Sequence, residues 1–173
     1  KMKPEEINEI ILAGGSSNIP KIKQICEDKK IDLIFGGTEH EIYALAELKK
    51  LPGFEDKVRG LPYEFVDMTT DKYKTFLFFD KYGIETPKTD LSENINEFIK
   101  KYGFPVITKP RKNSASRNIR IIQSNEEVPC NLENSVVQQY VGTSDDEYTV
   151  GCYLDSVGMK DSYIIMKRTL TPD

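Results

Sequence analysis

Histidine is nearly absent from the chain. His40 is the only one, so a Ser-His or Cys-His mechanism has one possible base and a histidine metal site one possible imidazole. Cysteine is scarce as well. Cys26, Cys130 and Cys152 are odd in number and widely spaced, which makes neither a disulfide framework nor a zinc pattern. Three reduced thiols in a cytoplasmic protein are the expectation. No apolar run approaches the roughly 20 residues that span a bilayer, and no charged start, apolar stretch and small cleavage residues follow one another. A membrane partner is therefore not expected. Positive charge is not in excess: the net charge is -4, without the clustered Lys and Arg that phosphate neutralisation requires, so nucleic acid is not expected either. The first glycine turn, Gly14-Gly15-Ser16-Ser17, lacks a G-x-G-x-x-G and is no dinucleotide fingerprint.

What remains is an ordinary globular composition, 38% hydrophobic and 30% charged over 173 residues, enough for one sizeable core or two small units. The chain starts at Lys1 and stops at Thr171-Pro172-Asp173, just after a strand-like run, and pieces of a longer protein are expected at one or both ends. Ile7 to Ala13 reads as a buried strand, and Ile19, Ile22 and Ile25-Cys26 repeat at helical spacing. Ile31 to Phe35 reads as a second strand, and Ile42, Leu45 and Leu48 as a helical stripe. Strand, helix, strand, helix predicts a parallel sheet with crossover helices. Pro52-Gly53 and Gly60-Leu61-Pro62 mark a loop and a first boundary.

Beyond it, Thr69 or Thr70 is expected to cap a helix that runs to Gly83, with Asp71 in its first turn. Pro87 opens an extended piece, and Ile95, Phe98 and Ile99 predict a helix ending near Gly103. Val106 to Lys109 and Ile119 to Ile122 read as a hairpin with a long tip. Ser124 to Glu127 is a capping-box pattern, Val136 to Val141 a strand, and Glu147 to Leu154 with Tyr163 to Arg168 an antiparallel pair.

The hairpin tip carries chemistry. A strand ends at Lys109 and is followed by Arg111, Lys112, Asn113, Ser114, Ala115, Ser116 and Arg117. Lysine supplies a point charge, and serine hydroxyls with loop amides donate hydrogen bonds, a set suited to a polyphosphate. A solvated basic turn is the competing reading. The strand Gln138-Gln139-Tyr140-Val141 could offer backbone groups to an adenine edge, and Glu147 a carboxylate to ribose hydroxyls. An ordinary strand and an exposed acid read equally well in isolation, and Lys72 alone reads as a surface residue.

Together these segments resemble a known pattern. Asp71-Lys72 with Gly83-Ile84-Glu85-Thr86-Pro87-Lys88-Thr89 looks like "DK…GIPTPKT"; Tyr102 to Arg111 looks like "YGFPVIVKPR"; Val136 to Gly142 with Glu147 to Val150 looks like "IIQEYIxGxEYTVD". In order and spacing they resemble the ATP-grasp superfamily, with the large subunit of carbamoyl phosphate synthase nearest in pattern. Ile31 to Glu41 also resembles the end of the Rossmann-like domain that precedes ATP-grasp in those relatives. Residues 7–22 separately resemble a glycine-turn segment of heat-shock chaperone ATPases, which nothing after about residue 30 extends.

The resemblance implies an α/β fold: a partial Rossmann-like pre-ATP-grasp domain at 1–68, an α+β ATP-grasp lid subdomain at 69–140, and the start of the larger ATP-grasp subdomain, incomplete at its C-terminus, at 141–173. It implies that Lys72 and Lys109 contact the phosphates of ATP, that Gln139 and Val141 line the adenine, and that Glu147 binds the ribose. Ser114, Ser116 and Arg117 would lie in a flap over the phosphates. It further implies a carboxylate or bicarbonate and an amine or ammonia as substrates, Mg2+ held by residues outside this chain, and a homo-oligomer or partner subunit. The alternative is a catalytically inactive nucleotide-binding or structural module of a larger synthetase. The family flap reads "DGSGSRG"; its glycines are replaced here, although Asn113 and Asn118 suit left-handed turns. Gln139 stands where glutamate is usual, keeping a carbonyl acceptor without the charge.

Overall fold

The structure is a computed structural model that describes residues 19–28, 30–36, 38–112, 118–143, 145–154 and 160–168. The strand and turn expected at residues 7–17, and Ser114, Ser116 and Arg117, lie outside the described residues. The chain divides into two compact units, Lys1–Thr86 with Pro110–Asn118, and Pro87–Lys109 with Ile119–Asp173.

In the first unit, helix α1 (Ile19–Asp28) is followed by strand β1 (Ile34–Phe35), helix α2 (Glu39–Lys49), strand β2 (Val58–Arg59), and helices α3 (Tyr63–Thr69) and α4 (Lys72–Lys81). β1 and β2 pair in parallel, Ile34 opposite Val58, so α2 is a crossover helix between them. The short β2 lies in what reads from sequence as a loop. Pro52 and Gly53 turn the chain, but Phe54 and Val58 are buried with Cys26, Leu45 and Leu48 in one core, and that burial holds the segment against β1. At the mouth of the β1–α2 turn, a Cβ on Gly36 would stand 2.8 Å from Leu45 Cδ1. A side chain at this position would require Leu45 to re-orient, and its Cβ would also stand 3.3 Å from Glu41 Cβ. The expected α2 stripe is rotated: Leu45 and Leu48 are buried, Ala46 joins them, and Ile42 is 40% exposed.

The helix start near residue 70 also differs from expectation. Tyr63 to Thr69 form α3, with Thr70 closing it and the Thr70 hydroxyl donating back to the Val66 carbonyl. Asp71 itself is the N-cap of α4, accepting from the amides of Tyr73 and Lys74. A carboxylate satisfies those orphan amides and opposes the positive helix start better than a threonine would.

The second unit holds strand β3 (Thr89–Leu91), helix α5 (Ile95–Tyr102), β4 (Val106–Pro110), β5 (Arg120–Ile122) and β6 (Ser135–Gln139), with a separate ribbon of β7 (Tyr148–Leu154) and β8 (Lys160–Lys167). The four-stranded sheet has the order β3-β6-β4-β5; β3 runs antiparallel to β6, and β4 to β5 with Val106 opposite Ile122. Ile95, Phe98 and Ile99 recur at helical spacing on α5 and pack on Val106, Ile122 and Val137. Each such burial contributes roughly 1.5–3 kcal/mol. Gly103, with φ 76° and ψ -174°, ends α5. Asn118 takes φ 57° where the hairpin tip rejoins β5, the left-handed turn expected of it. The Ser124 pattern gives a 3-10 turn, Asn125–Glu127, in which Glu127 accepts from the Gln123 amide and the Ser124 side chain makes no cap bond. In the β7–β8 ribbon, Tyr148 faces Lys167 and Val150 faces Ile165. Apolar side chains on both faces of the ribbon, Val150 and Ile165 on one and Tyr153 and Ile164 on the other, are more than half exposed.

Candidate functional site

Alternation along β4 sends Val106 and Thr108 toward α5 and Ile107 and Lys109 to the other sheet face. On that face the Lys109 ammonium donates to Gln138 Oε1 at 3.0 Å, Gln138 Nε2 donates to Thr89 Oγ1 at 2.8 Å, and the Thr89 hydroxyl donates to the Pro87 carbonyl at 2.9 Å. Thr89 and Gln138 are direct cross-strand partners, so strand register places that bond, and β4 lies beside β6 in the sheet, which brings Lys109 to Gln138. Because lysine has no acceptor, the amide of Gln138 is oriented with its oxygen toward Lys109.

Gln139 points elsewhere in its interactions. Its amide donates to the Lys88 carbonyl at 3.0 Å, and its side-chain oxygen accepts from the Lys88 amide at 3.1 Å. The residue that touches Lys109 is thus Gln138, to which sequence reading gave no side-chain role. Period two on β6 separates Gln138 from Gln139, but which of them faces Thr89 and Lys109 is set by cross-strand register, which no local pattern gives. Val141 follows β6 and is 61% exposed. Glu147 precedes β7 and pairs with Arg168, whose amide also donates to the Glu147 carbonyl at 2.8 Å.

In the first unit, Lys72 begins α4. Its ammonium donates to the Pro110 carbonyl at 2.9 Å and its amide to the Arg111 carbonyl at 3.1 Å. Arg111 meets Asp71 fork to fork, Nε to Oδ1 at 3.2 Å and Nη2 to Oδ2 at 2.7 Å. Asp71 is buried. Burial alone would push its carboxyl up, but hydrogen bonds from Arg111 and from the Lys74 and Tyr73 amides, with the charge of Arg111, hold it below its ordinary value. Lys112 donates to Asp67 at 3.1 Å and stands 5.9 Å from the centre of the Tyr43 ring. Lys74 also pairs with Asp67, and its hydrogen bond and that of Lys112 lower the Asp67 carboxyl. Arg111 and Lys112, read from sequence as cations for a phosphate, are engaged with Asp71 and Asp67. Neither carboxylate was singled out for that role, since nothing in sequence spacing links positions 67 and 71 to 111 and 112.

A family model described as an ATP-grasp domain matches residues 69–165, more than half of the chain. The chain belongs to the ATP-grasp family. Among curated proteins it is similar to the carbamoyl phosphate synthase large chain of two strains of Helicobacter pylori, 26% identical over 119 residues in one and 25% in the other; the match takes in 65% of this chain and 11% of each relative. This ATP-grasp chain therefore spans about a tenth of the length of those relatives. Among solved structures it resembles biotin carboxylase from Campylobacter jejuni, with TM-score 0.65 and 19% identity over 86% of this chain and 36% of that one. N5-carboxyaminoimidazole ribonucleotide synthetase from Thermotoga maritima gives TM-score 0.60 and 20% identity over 87% and 39%, and D-alanine–D-alanine ligase from Bacillus anthracis TM-score 0.55 and 20% over 87% and 59%. At these identities the likeness establishes the ATP-grasp fold. No helix among the described residues is long and apolar enough to cross a membrane.

Proposed function

We propose that this chain is the ATP-binding portion of an ATP-dependent carboxylate-amine or carboxylate-ammonia ligase resembling the carbamoyl phosphate synthase large subunit. The observation that carries the reading is that the ATP-grasp match, residues 69–165, takes in Lys72, Lys109, Gln139, Val141 and Glu147 together. Lys109 and Lys72 contact the ATP phosphates and offset their charge. Gln139 and Val141 line the adenine, in part through backbone groups, and Glu147 accepts from the ribose. Ser114, Ser116 and Arg117 belong to the flap over the phosphates.

In the chemistry this implies, a carboxylate or bicarbonate oxygen attacks the γ-phosphorus and ADP leaves. The amine or ammonia nitrogen then attacks the acyl carbon, phosphate departs, and the nitrogen loses a proton. Magnesium would supply further charge stabilisation for the transfer. Among the described residues no three His, Cys, Asp or Glu side chains gather to hold a metal ion.

The domain reading belongs to the same proposal: a Rossmann-like part to residue 68, for which the parallel β1–α2–β2 unit is support, a lid at 69–140, and the start of a larger antiparallel subdomain from 141. The apolar side chains exposed on both faces of the β7–β8 ribbon support the last assignment. The glycine-poor flap favours a second reading, a nucleotide-binding module without catalysis. Calorimetric titration of MgATP into the intact protein and its Lys109→Ala variant tests the site. Binding by the parent and none by the variant is expected; equal affinity would remove Lys109 from the site. ADP release on adding bicarbonate or candidate carboxylates separates the ligase from the silent module.

A further inference from the structure

The stretch that leaves Lys109 is fastened to the start of α4 at three points and to α3 at a fourth. The Lys72 ammonium holds the Pro110 carbonyl, the Lys72 amide holds the Arg111 carbonyl, Arg111 grips Asp71 with two hydrogen bonds, and Lys112 reaches Asp67. Asp71 does two tasks with one carboxylate: Oδ1 caps α4 through the Tyr73 and Lys74 amides while also accepting from Arg111. The position of the Lys72 charge is thereby tied to Arg111 through Asp71 on one side and through the Pro110 and Arg111 carbonyls on the other.

We infer that Arg111 is a positioning residue for Lys72 and not itself a phosphate ligand. This rests on the reading above that Lys72 contacts the phosphates. A guanidinium released toward a phosphate would leave the Asp71 carboxylate, 2% exposed in its side chain, charged and without its fork, a costly state for a buried charge. The fork geometry also matters, because a lysine offers a point charge and cannot match both carboxylate oxygens. Arg111 also lies 5.8 Å from the Tyr73 ring centre, within cation–π range. From sequence alone Arg111 reads as one more cation of a phosphate loop; its partners give it a different task.

The test uses the intact protein. Wild type, Arg111→Lys, Arg111→Ala, Lys72→Ala and the double variant Lys72→Ala/Arg111→Ala are titrated with ATP by calorimetry, and with adenosine by ligand-observed NMR. Arg111→Lys, which keeps the charge and loses the fork, should weaken ATP roughly ten-fold, the equivalent of one lost charge-assisted hydrogen bond. Adenosine binding should stay unchanged, which also shows that the variant is folded. The double variant should bind ATP no more weakly than Lys72→Ala alone. Losses that multiply in the double variant would make Arg111 a direct ligand and overturn the inference. Wild-type affinity in Arg111→Lys, with Lys72→Ala impaired, would overturn it while leaving the site intact. Unchanged affinity in Lys72→Ala would instead remove Lys72 from the site and the inference with it.

Discussion

Asp71→Asn separates the two tasks of the buried carboxylate. Asparagine caps a helix about as well as aspartate, so the bonds to the Tyr73 and Lys74 amides can be kept, whereas the charge facing Arg111 is removed. The magnitude follows from exposure. Breaking a fully buried pair costs about 3–5 kcal/mol and an exposed one about 0.2–1 kcal/mol. Here the carboxylate side chain is 2% exposed and the guanidinium 30%, so the more strongly desolvated partner is the one being changed. A neutral amide still hydrogen-bonds, which brings the expected loss to about 2 kcal/mol. With a urea slope of about 2 kcal/mol per molar, the unfolding midpoint should fall by about 1 M. Asp71→Ala should lose about 1 kcal/mol more, the worth of the cap. The sign with pH is fixed by the lowered carboxyl of Asp71. A depressed acid stabilises the fold above its unfolded value of about 3.9 and loses that contribution as pH falls through the folded value. The gap between wild type and Asp71→Asn should therefore be full near neutrality and close only below about pH 4. A midpoint shift under about 0.25 M at neutral pH, the size expected for an exposed pair, would refute the claim that this pair fastens Arg111 to α4.

Leu48→Ala should cost about 2–5 kcal/mol in the same unfolding assay, since Leu48 is fully buried, while Ile42→Ala on the exposed side of α2 should stay within about 0.5 kcal/mol. Gly103→Ala should destabilise by about 1–3 kcal/mol from backbone strain alone, because nothing lies within 4 Å of the added Cβ but φ is 76°; a midpoint equal to wild type would show that the α5 terminus relaxes freely. Gln138→Ala should weaken ATP binding by roughly five- to ten-fold, about one hydrogen bond's worth, whereas Gln139→Ala should change it less if its adenine contact is made by backbone; the reverse order in a titration would show that the Gln138–Lys109 bond does not serve the site.

The elements that sequence made legible are those fixed by local rules. α5 follows from Ile95, Phe98 and Ile99 at helical spacing with a glycine stop, and the β4–β5 hairpin from two short apolar runs around a polar tip. The elements it hid are those whose reason is distant. β2 is a strand because Val58 is buried against a core gathered from α1 and α2, not because two residues carry any periodicity. α3 was obscured by the threonines at 69 and 70, good caps on propensity, whose hydroxyls instead bond back to α3 carbonyls while Asp71 takes the capping position.

The same division runs through the candidate site. Lys72 and Lys109 stand out in sequence because each falls within a linear motif, one opening a helix and the other near the end of a strand. Which groups hold those lysines cannot be read that way. Gln138 reaches Lys109 from a different strand, and Asp71 reaches Arg111 from 40 residues earlier in the chain. A polar loop with several cations looks uniformly available for a ligand in sequence; once folded, Arg111 and Lys112 are sorted by the acids they meet. That sorting reverses the natural ranking of the loop's charges: arginine, the better phosphate fork on chemistry alone, is the one least able to leave its partner, because the carboxylate it grips is buried.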